Sequence, residues 1–573
     1  MMRASAFLLV TGMYLGILCV ASRVMVELSH DSAISHLAAT GHQGIYGDII
    51  EGRGPNDLVG QIVPAASWQR LWSVEDTLPL GPIRHDLAYY DIHPPLYFWL
   101  LHLAVLLLGT GIGAGIALNA VIGVAVVGLT YAAARPLLRA EWKAWAACAV
   151  WVVSAGALST SIEARPYLLF AALGMAFTVV MERVTRRGQV TPVLGIALAA
   201  ISAAGTLTHY HFLLILLAGG VAVPAFGPSG RRRILLAWYG AATVVGIAVA
   251  VALHPQFMQS FARQENQAQA FAAAEMGRRA VLFVRRLSTF FVPLGLPVRI
   301  RRTVDRGLLA LVLGLVGVAG IHWLGVKHKL QKAWASHRER FLVLGIPSLV
   351  FCAQCLLYST FRSPVHAVGD RYFSFFWPFL AIGVVAMLPR RRMVPWVLAI
   401  TLSGSVAFLH QERGRKEAFS QQMEEAMEGV ALVVTTDTRR GFLPRTLGPL
   451  PPDEPVLVLD GLDTDVVDQL LQESNGPLLF LVPPEDAGEI LRVAGARNVA
   501  ARPQGTMPNG EWIIRTAPES DSQGSPPTLP DAQGFQDAVV NALDGGRGNH
   551  DFRHAGSALG SSEAEPILLE VNP

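Results

Sequence analysis

Residues 112–134 read IGAGIALNAVIGVAVVGLTYAAA, with no charged side chain, and are followed at once by Arg135-Pro-Leu-Leu-Arg139. A bilayer core about 30 Å thick needs roughly 20 such residues, because a single segment can satisfy its own backbone in lipid only as a helix. The pattern recurs along the chain. Spanning helices are expected at about 4–22, 112–134, 144–162, 166–181, 192–208, 210–227, 234–253, 307–326, 341–358, 372–388 and 394–409. Two further apolar runs differ. The run 96–108 is short, and 281–297 carries Arg285 and Arg286 within it, so both read as re-entrant or interfacial helices.

Composition agrees with about 11 spanning helices. Of 573 residues, 52% are hydrophobic and 16% charged, with a mean hydropathy of +0.40; an ordinary soluble domain is about one quarter charged. The chain is therefore expected to be a polytopic α-helical membrane protein. A net charge of +3 is spread as Arg-rich clusters between apolar runs, which carries topology information and argues against a nucleic-acid partner. Cys19, Cys148, Cys352 and Cys355 all lie in apolar runs, so no disulfide framework is expected. Cys352 and Cys355 have no second ligand pair nearby and read as small apolar filler.

Short basic loops stay in the cytoplasm. With a cytoplasmic N-terminus, the clusters Arg135/Arg139/Lys143, Arg183/Arg186/Arg187, Arg231 to Arg233, Lys327 to Arg340 and Arg390 to Arg392 all fall inside, and only Arg299 to Arg306 does not. The first run, with its exit at Val20-Ala21-Ser22, has features of a cleaved signal peptide; ten further spans favour a resident helix. The expected domains are a transmembrane catalytic domain at 1–410, an extracytoplasmic α/β domain at 411–516 and a disordered tail at 517–573 rich in Ser, Gly, Pro and acid. The transmembrane domain carries outer loops at 23–95 and 254–306. In the second domain, strands are expected at 430–435, 455–460, 477–482 and 511–515, with helices at 464–473 and 485–494, hence a small parallel sheet. It holds no glycine-rich phosphate or dinucleotide motif.

Chemistry is concentrated at the outer helix ends. The clusters are His30-Asp31, Asp91-Ile-His93-Pro94-Pro95-Leu96-Tyr97, Glu163-Ala-Arg165-Pro166-Tyr167, His209-Tyr210-His211 and Gly369-Asp370-Arg371-Tyr372. None was used to set the topology, yet all five fall on one side. Each has a bland alternative: a helix-end acid at Asp31, prolines that start a helix, snorkelling anchors at Glu163 and Arg165, an Arg/aromatic belt at Arg371-Tyr372. His102 and His322, alone on apolar helices, read as structural. Together the clusters describe a water-facing cleft of acids, imidazoles and arginines, since charges near hydrocarbon are kept for function. Transfer of a sugar from a lipid phosphate fits such a cleft. A carboxylate takes the proton of the acceptor, and guanidiniums neutralise the departing phosphate.

The early acid, Asp91-Ile-His-Pro-Pro-Leu-Tyr-Phe-Trp-Leu-Leu-His102, Glu163-Ala-Arg-Pro-Tyr167 and Arg371-Tyr-Phe373 together resemble the membrane glycosyltransferases of the C-type fold. Residues 1–410 are most similar to the branch of protein O-mannosyltransferases and lipid A aminoarabinose transferases, a glycosyltransferase family 39-like group. The resemblance implies a polyprenyl-phosphate-sugar donor, inversion at the anomeric carbon, an active site in the first outer loop and no nucleotide-sugar. It places the catalytic acid on Asp31, followed by Ser32 where many relatives have a second acid. The His-Pro-Pro element falls on His93 to Pro95, with Asp91 as second carboxylate or orienter. Glu163, Arg165 and Tyr167 carry the next motif, and Arg165 and Arg371 would bind phosphate, with Tyr372 beside the latter. His209 is added as a substrate-binding candidate, and Arg84 and His85 as phosphate candidates by charge alone.

The resulting expectation is an enzyme of a bacterial inner membrane with its site and α/β domain extracytoplasmic. Its acceptor would be a hydroxyl or phosphate on a lipid, glycan or protein. No cofactor is required; a divalent cation is compatible with Asp31, Asp91, His93 and Glu163, although no ligand spacing is diagnostic. A secondary transporter or lipid flippase is the rival, and would place polar groups at mid-membrane and show symmetry between halves. A noncatalytic assembly protein is a third reading. Trp68, Trp72 and Tyr89-Tyr90 in the first outer loop suggest either sugar stacking or a membrane-surface helix, the latter favoured because Trp and Tyr concentrate at interfaces.

Overall fold

The computed structural model describes residues 2–25, 27–53, 58–74, 78–91, 93–187, 190–260, 290, 343, 345–350, 373–388, 390–474, 476–497, 499–507 and 511–516. Helices α1 (Met2–Val24), α2 (His30–Thr40) and α3 (Gln43–Ile50) precede strand β1 (Ile62–Pro64). They are followed by α4 (Ala65–Gln69), α5 (Leu80–Tyr90), α6 (Leu96–Leu108), α7 (Ile112–Leu138), α8 (Glu141–Val152), α9 (Ala155–Ile162), α10 (Tyr167–Arg187), α11 (Pro192–Thr206), α12 (Phe212–Phe226) and α13 (Arg232–Leu253). The later elements are α14 (Trp377–Met387), α15 (Val394–Met427), β2 (Leu432–Thr435), α16 (Leu443–Leu447), β3 (Pro455–Val458), α17 (Thr464–Glu473), β4 (Leu478–Val482), α18 (Pro484–Ala496), β5 (Ala501–Thr506) and β6 (Trp512–Thr516).

Among the described residues, five helical stretches are long and apolar enough to cross a membrane: Arg3–Val24, Ile112–Leu138, Tyr167–Thr185, Arg232–Leu253 and Arg391–Met427. This is a polytopic α-helical membrane protein with an α/β region near its C-terminus. The expected span 144–162 is two helices, α8 and α9, bent by 55°. The bend has a local cause. Ser154 caps α9, its Oγ accepting from Ala157 N–H at 3.1 Å while donating to the Trp151 carbonyl at 2.7 Å, so the chain finds a polar alternative to continuing the helix. The short run at 96–108 is the thirteen-residue helix α6, as expected. Helices α11 and α12 hold fifteen residues each, about 22 Å, short of a full bilayer core. The expected spans at 307–326 and 341–358, the run at 281–297, the Cys352/Cys355 pair and the tail from 517 lie wholly or largely outside the described residues.

Helix α7 is the hub, packing against α1, α6, α8 and α10. Small residues let backbones approach there. A Cβ on Gly123 would collide with the Tyr14 ring, and one on Gly115 would lie 2.6 Å from Ala164 Cβ.

The segment between α1 and α6, expected as a loop, is built of helices and contributes a strand. The sheet order is β1-β3-β2-β4-β6-β5. Strands β3, β2 and β4 are parallel; β1 joins antiparallel, with Ile62, Val63 and Pro64 opposite Leu457, Val456 and Pro455. Strands β6 and β5 complete it antiparallel. Central strands β2 and β4 are buried along their length, which explains their unbroken apolar sequence. One face, with Val433, Val456, Val458, Leu479 and Ile513, packs on Leu37, Tyr46, Ile49, Trp68, Leu443 and Leu447. The other, with Val434, Leu457, Phe480 and Ile514, is covered by Val467 and Ile490 of α17 and α18.

Trp68 and Trp72 therefore belong to neither reading offered by the sequence. They are 0% and 8% exposed and sit in the shared core, because the segment has a sheet to pack on. The last apolar run also extends further than expected. Instead of ending near 409, α15 continues as one helix of 34 residues, about 50 Å, and delivers Met423 and Ala426 into that same core.

Candidate active site

Four separate turns meet at one place. Asp31 sits in the first turn of α2, where a carboxylate is favoured by the helix dipole. The helix is fixed at both ends. Ser29 Oγ accepts from Ser32 N–H at 3.2 Å, and Gly41, at φ +79°, closes it in the left-handed conformation. Asp31 and Ser35 are four residues apart and share a helix face. Arg165 engages both: its Nη1 donates to Ser35 Oγ at 3.1 Å and to the Asp31 carbonyl at 3.4 Å, and its Nη2 lies 3.8 Å from Asp31 Oδ1.

Arg165 arrives there because α9 ends at Ile162 and Glu163 is extended. Asn119, one amide in the otherwise uncharged run of α7, pins this turn by donating from Nδ2 to the carbonyls of Ser161 (3.1 Å) and Glu163 (2.6 Å). Ser32 Oγ accepts from Ala164 N–H at 3.0 Å, tying the turn to α2. The Arg165 side chain is only 6% exposed, and its Nε–H has no hydrogen-bond partner among the described residues. A distance of 3.8 Å is an electrostatic pair and exceeds a hydrogen bond.

The second pair is Asp91 and His93. Helix α5 stops at Tyr90, and Asp91 takes an extended conformation. His93 Nδ1 is 2.6 Å from Asp91 Oδ1, with both residues 9% exposed. Burial alone would raise the Asp91 carboxyl, but His93, its hydrogen bond, and the Arg440 and Arg165 guanidiniums hold it well below the usual carboxylate range. Burial lowers His93, against the pull of Asp91. An ionised Asp91 can only accept, so Nδ1 carries the proton and donates it to the carboxylate.

His209 stands between α11 and α12, its ring centroid 6.1 Å from His93, 5.7 Å from Tyr167 and 5.3 Å from Phe170. Leu96 N–H donates to the Leu207 carbonyl at 2.9 Å, which joins the start of α6 to this turn and brings His93 and His209 together. The Tyr167 carbonyl accepts from Ser374 Oγ at 2.9 Å.

Thus Asp31, Asp91, His93, Arg165, Tyr167 and His209 surround one region, with Glu163 at the Asn119-pinned turn. Arg84 and His85 have other partners. Arg84 Nη1 donates to the Leu253 carbonyl at 3.4 Å, and His85, over half exposed, faces Asp86 and lies against the Tyr89 ring in a tilted pair, centroids 4.4 Å apart. Arg371 and Tyr372 lie outside the described residues. His102 is structural: its Nδ1 bonds the Ala39 carbonyl at 2.8 Å in a fully buried position. Among the described residues no three His, Cys, Asp or Glu side chains gather as a cation site, so Asp31, Asp91, His93 and Glu163 do not form one. Ser35 and Asn119 were not anticipated. Asn119 had a visible signal, a lone amide within twenty-three uncharged positions.

No family model matches the sequence, and no curated protein does. Among solved structures, the chain is similar to the apo crystal structure of ArnT from Cupriavidus metallidurans, with 14% identity, a TM-score of 0.46, and coverage of 90% of this chain and 98% of that one. The same protein bound to undecaprenyl phosphate gives 13%, 0.45, 89% and 97%. An Archaeoglobus fulgidus oligosaccharyltransferase in complex with Zn and sulfate gives 11%, 0.30, 81% and 55%. These values are too low to assign a family, so the chemistry must be read from the side chains.

Proposed function

We propose that this protein is an inverting membrane glycosyltransferase that moves a sugar from a polyprenyl-phosphate-linked donor to a hydroxyl or phosphate of a lipid, glycan or protein. It would act on the extracytoplasmic side of a bacterial inner membrane, with its N-terminus in the cytoplasm. The observation that carries this reading is Arg165: a buried guanidinium with one N–H unsatisfied among the described residues, 3.8 Å from a carboxylate it does not hydrogen-bond. A buried donor without a partner asks for an anion or water. A phosphate oxygen fits it, and places the leaving group beside a carboxylate.

In the reaction Asp31 takes the proton from the acceptor O–H as that oxygen bonds to the anomeric carbon from the face opposite the phosphate. The bond from that carbon to the phosphate oxygen breaks, and the electron pair leaves with the polyprenyl phosphate, whose charge Arg165 meets. Asp31 needs to act as a base only as the acceptor O–H bond breaks. The Asp91–His93 pair, with Nδ1–H held by the carboxylate, presents an oriented imidazole, and Tyr167 and His209 form an aromatic wall beside it. Arg371 and Tyr372 remain candidates for the phosphate on sequence grounds.

The test is mass spectrometry of membrane lipids, surface glycans and exported proteins from cells with and without the protein, and with Asp31→Asn. Loss of one hexose- or pentose-sized mass in both the null and the variant, with Asp31→Asn present at normal level, is the expected result. A transporter would lose flux without a sugar adduct disappearing in the Asp31→Asn cells. An unchanged set of adducts in the null would end the proposal.

A further inference from the structure

The segment after β2, Thr436-Asp437-Thr438-Arg439-Arg440-Gly441, comes from the C-terminal sheet and lies against the first outer segment. Its docking uses several independent contacts. Tyr46 Oη donates to the Thr438 carbonyl, the His30 ring meets Phe442 at 4.8 Å between centroids, and Arg445 forms a buried ion pair with Glu27. Gly441 is required where it stands, because a Cβ there would enter the His30 ring.

Of the three arginines in this region, Arg439 is matched by Asp437, with Nε to Oδ1 at 2.8 Å, and Arg445 by Glu27. Arg440 has no carboxylate within ion-pair distance among the described residues. It is half-buried, and its Nη1 donates to the carbonyl of Tyr90, the last residue of α5 and the one before Asp91. A cation is favoured at a helix C-terminus, where carbonyls lack partners.

We propose that Arg440 is a positioning residue of the active site: from the C-terminal sheet it caps α5 and holds Asp91, and through Asp91 the imidazole of His93, in working position. This rests on the glycosyltransferase reading for its catalytic consequence, but the contact itself does not. The groups facing the Asp91–His93 pair are Arg440 from the segment after β2, Arg165 from the turn before α10, and His209 and Tyr210 from the turn before α12. Both guanidiniums oppose a positive charge on His93 and support the negative charge on Asp91.

The test uses the full-length protein in detergent micelles. Carbethoxylation of His93 by diethylpyrocarbonate is followed across pH by peptide mass spectrometry in the wild type, Arg440→Ala, Arg440→Gln and Arg440→Lys. Loss of the guanidinium raises the His93 midpoint by roughly one unit in the Ala and Gln variants, and Lys, which keeps the charge, restores it. Gln keeps a donor for the Tyr90 carbonyl, so it serves if Ala fails to fold. A wild-type midpoint in either neutral variant overturns the proposal.

In cells, Arg440→Ala should lower the sugar adduct at least tenfold and Arg440→Lys should recover most of it. Should Asp31→Asn abolish the adduct while Arg440→Ala leaves it at wild-type level, the positioning role fails and the enzyme reading stands. Should the null lose no adduct, the enzyme reading fails, and the His93 midpoint still decides whether Arg440 governs the pair.

Discussion

Arg165 carries a charge that its neighbours among the described residues only partly satisfy, and on the proposed function this incomplete pairing leaves room for a phosphate oxygen. Three of its contacts involve Asp31 and Ser35 on one face of α2, and its Nε–H is left over among the described residues. Lysine offers a point charge instead of a fork of donors. Arg165→Lys should therefore reduce the rate of sugar transfer by about 10- to 100-fold while the protein still accumulates, measured as adduct formed per unit of membrane-embedded protein. An unchanged rate would assign Arg165 to structure alone. The charged members of this group were legible because charge in an apolar chain is conspicuous. Ser35 and Arg440 were not: a serine within a helix carries no signal, and Arg440 lies 275 positions from Arg165, in a region with no motif.

At the level of elements, what positions the site is close packing around α7. Asn119 serves the turn that bears Arg165, and it stays in register because Tyr14 of α1 lies in the space that Gly123 leaves open, with Tyr14 Oη donating to Ser161 Oγ at 2.9 Å. A large side chain at Gly123 cannot share that space. Gly123→Leu should displace α1 from α7, lower the thermal midpoint in detergent by several degrees, and cost transfer activity although the residue touches no substrate; overpacking of this kind costs about 1–3 kcal/mol. Equal midpoints in variant and wild type would show that α1 moves aside freely. Element types were largely readable, since period and apolar length are local properties. Helix ends were less so. The bend at Ser154 depends on one side-chain cap, and the continuation of α15 beyond 409 depends on a core supplied by β2 and β4, neither of which hydropathy records.

For the molecule as a whole, the segment between α1 and α6 and the C-terminal sheet form one hydrophobic layer. Its seam holds His30 against Phe442, and the fully enclosed His36 stands further along the same helix; each is lowered to about 4, by burial first and, at His30, by Arg445, Arg165 and Arg439 as well. Both stay neutral when folded but take up a proton near pH 6.5 when unfolded. The unfolded chain then binds more protons between about 6.5 and 4, so stability is full above that window and falls as pH drops through it, by up to about 1.4 kcal/mol per pH unit for each histidine. Chemical denaturation at stepped pH should show this slope, and His36→Leu should flatten it; an identical slope would remove His36 from the account. Asp91, with its carboxyl held low, loses its stabilising contribution only at still lower pH. The strands and helices of this layer were readable as separate pieces. That they share a sheet with β1 was not, because three residues at 62–64 give too short a period to register.

Strand β1 finds its partner only at Pro455–Leu457, almost four hundred residues later in the chain. During synthesis the membrane helices can insert in order, but the segment bearing Asp31 has no sheet to settle on until the ribosome has passed β3. The nascent protein is thus built with the segment bearing Asp31 unassembled while its helices are threaded into the bilayer. A chain cut short anywhere before that strand would leave Trp68 and its neighbours uncovered, a state that membrane quality-control proteases are suited to remove.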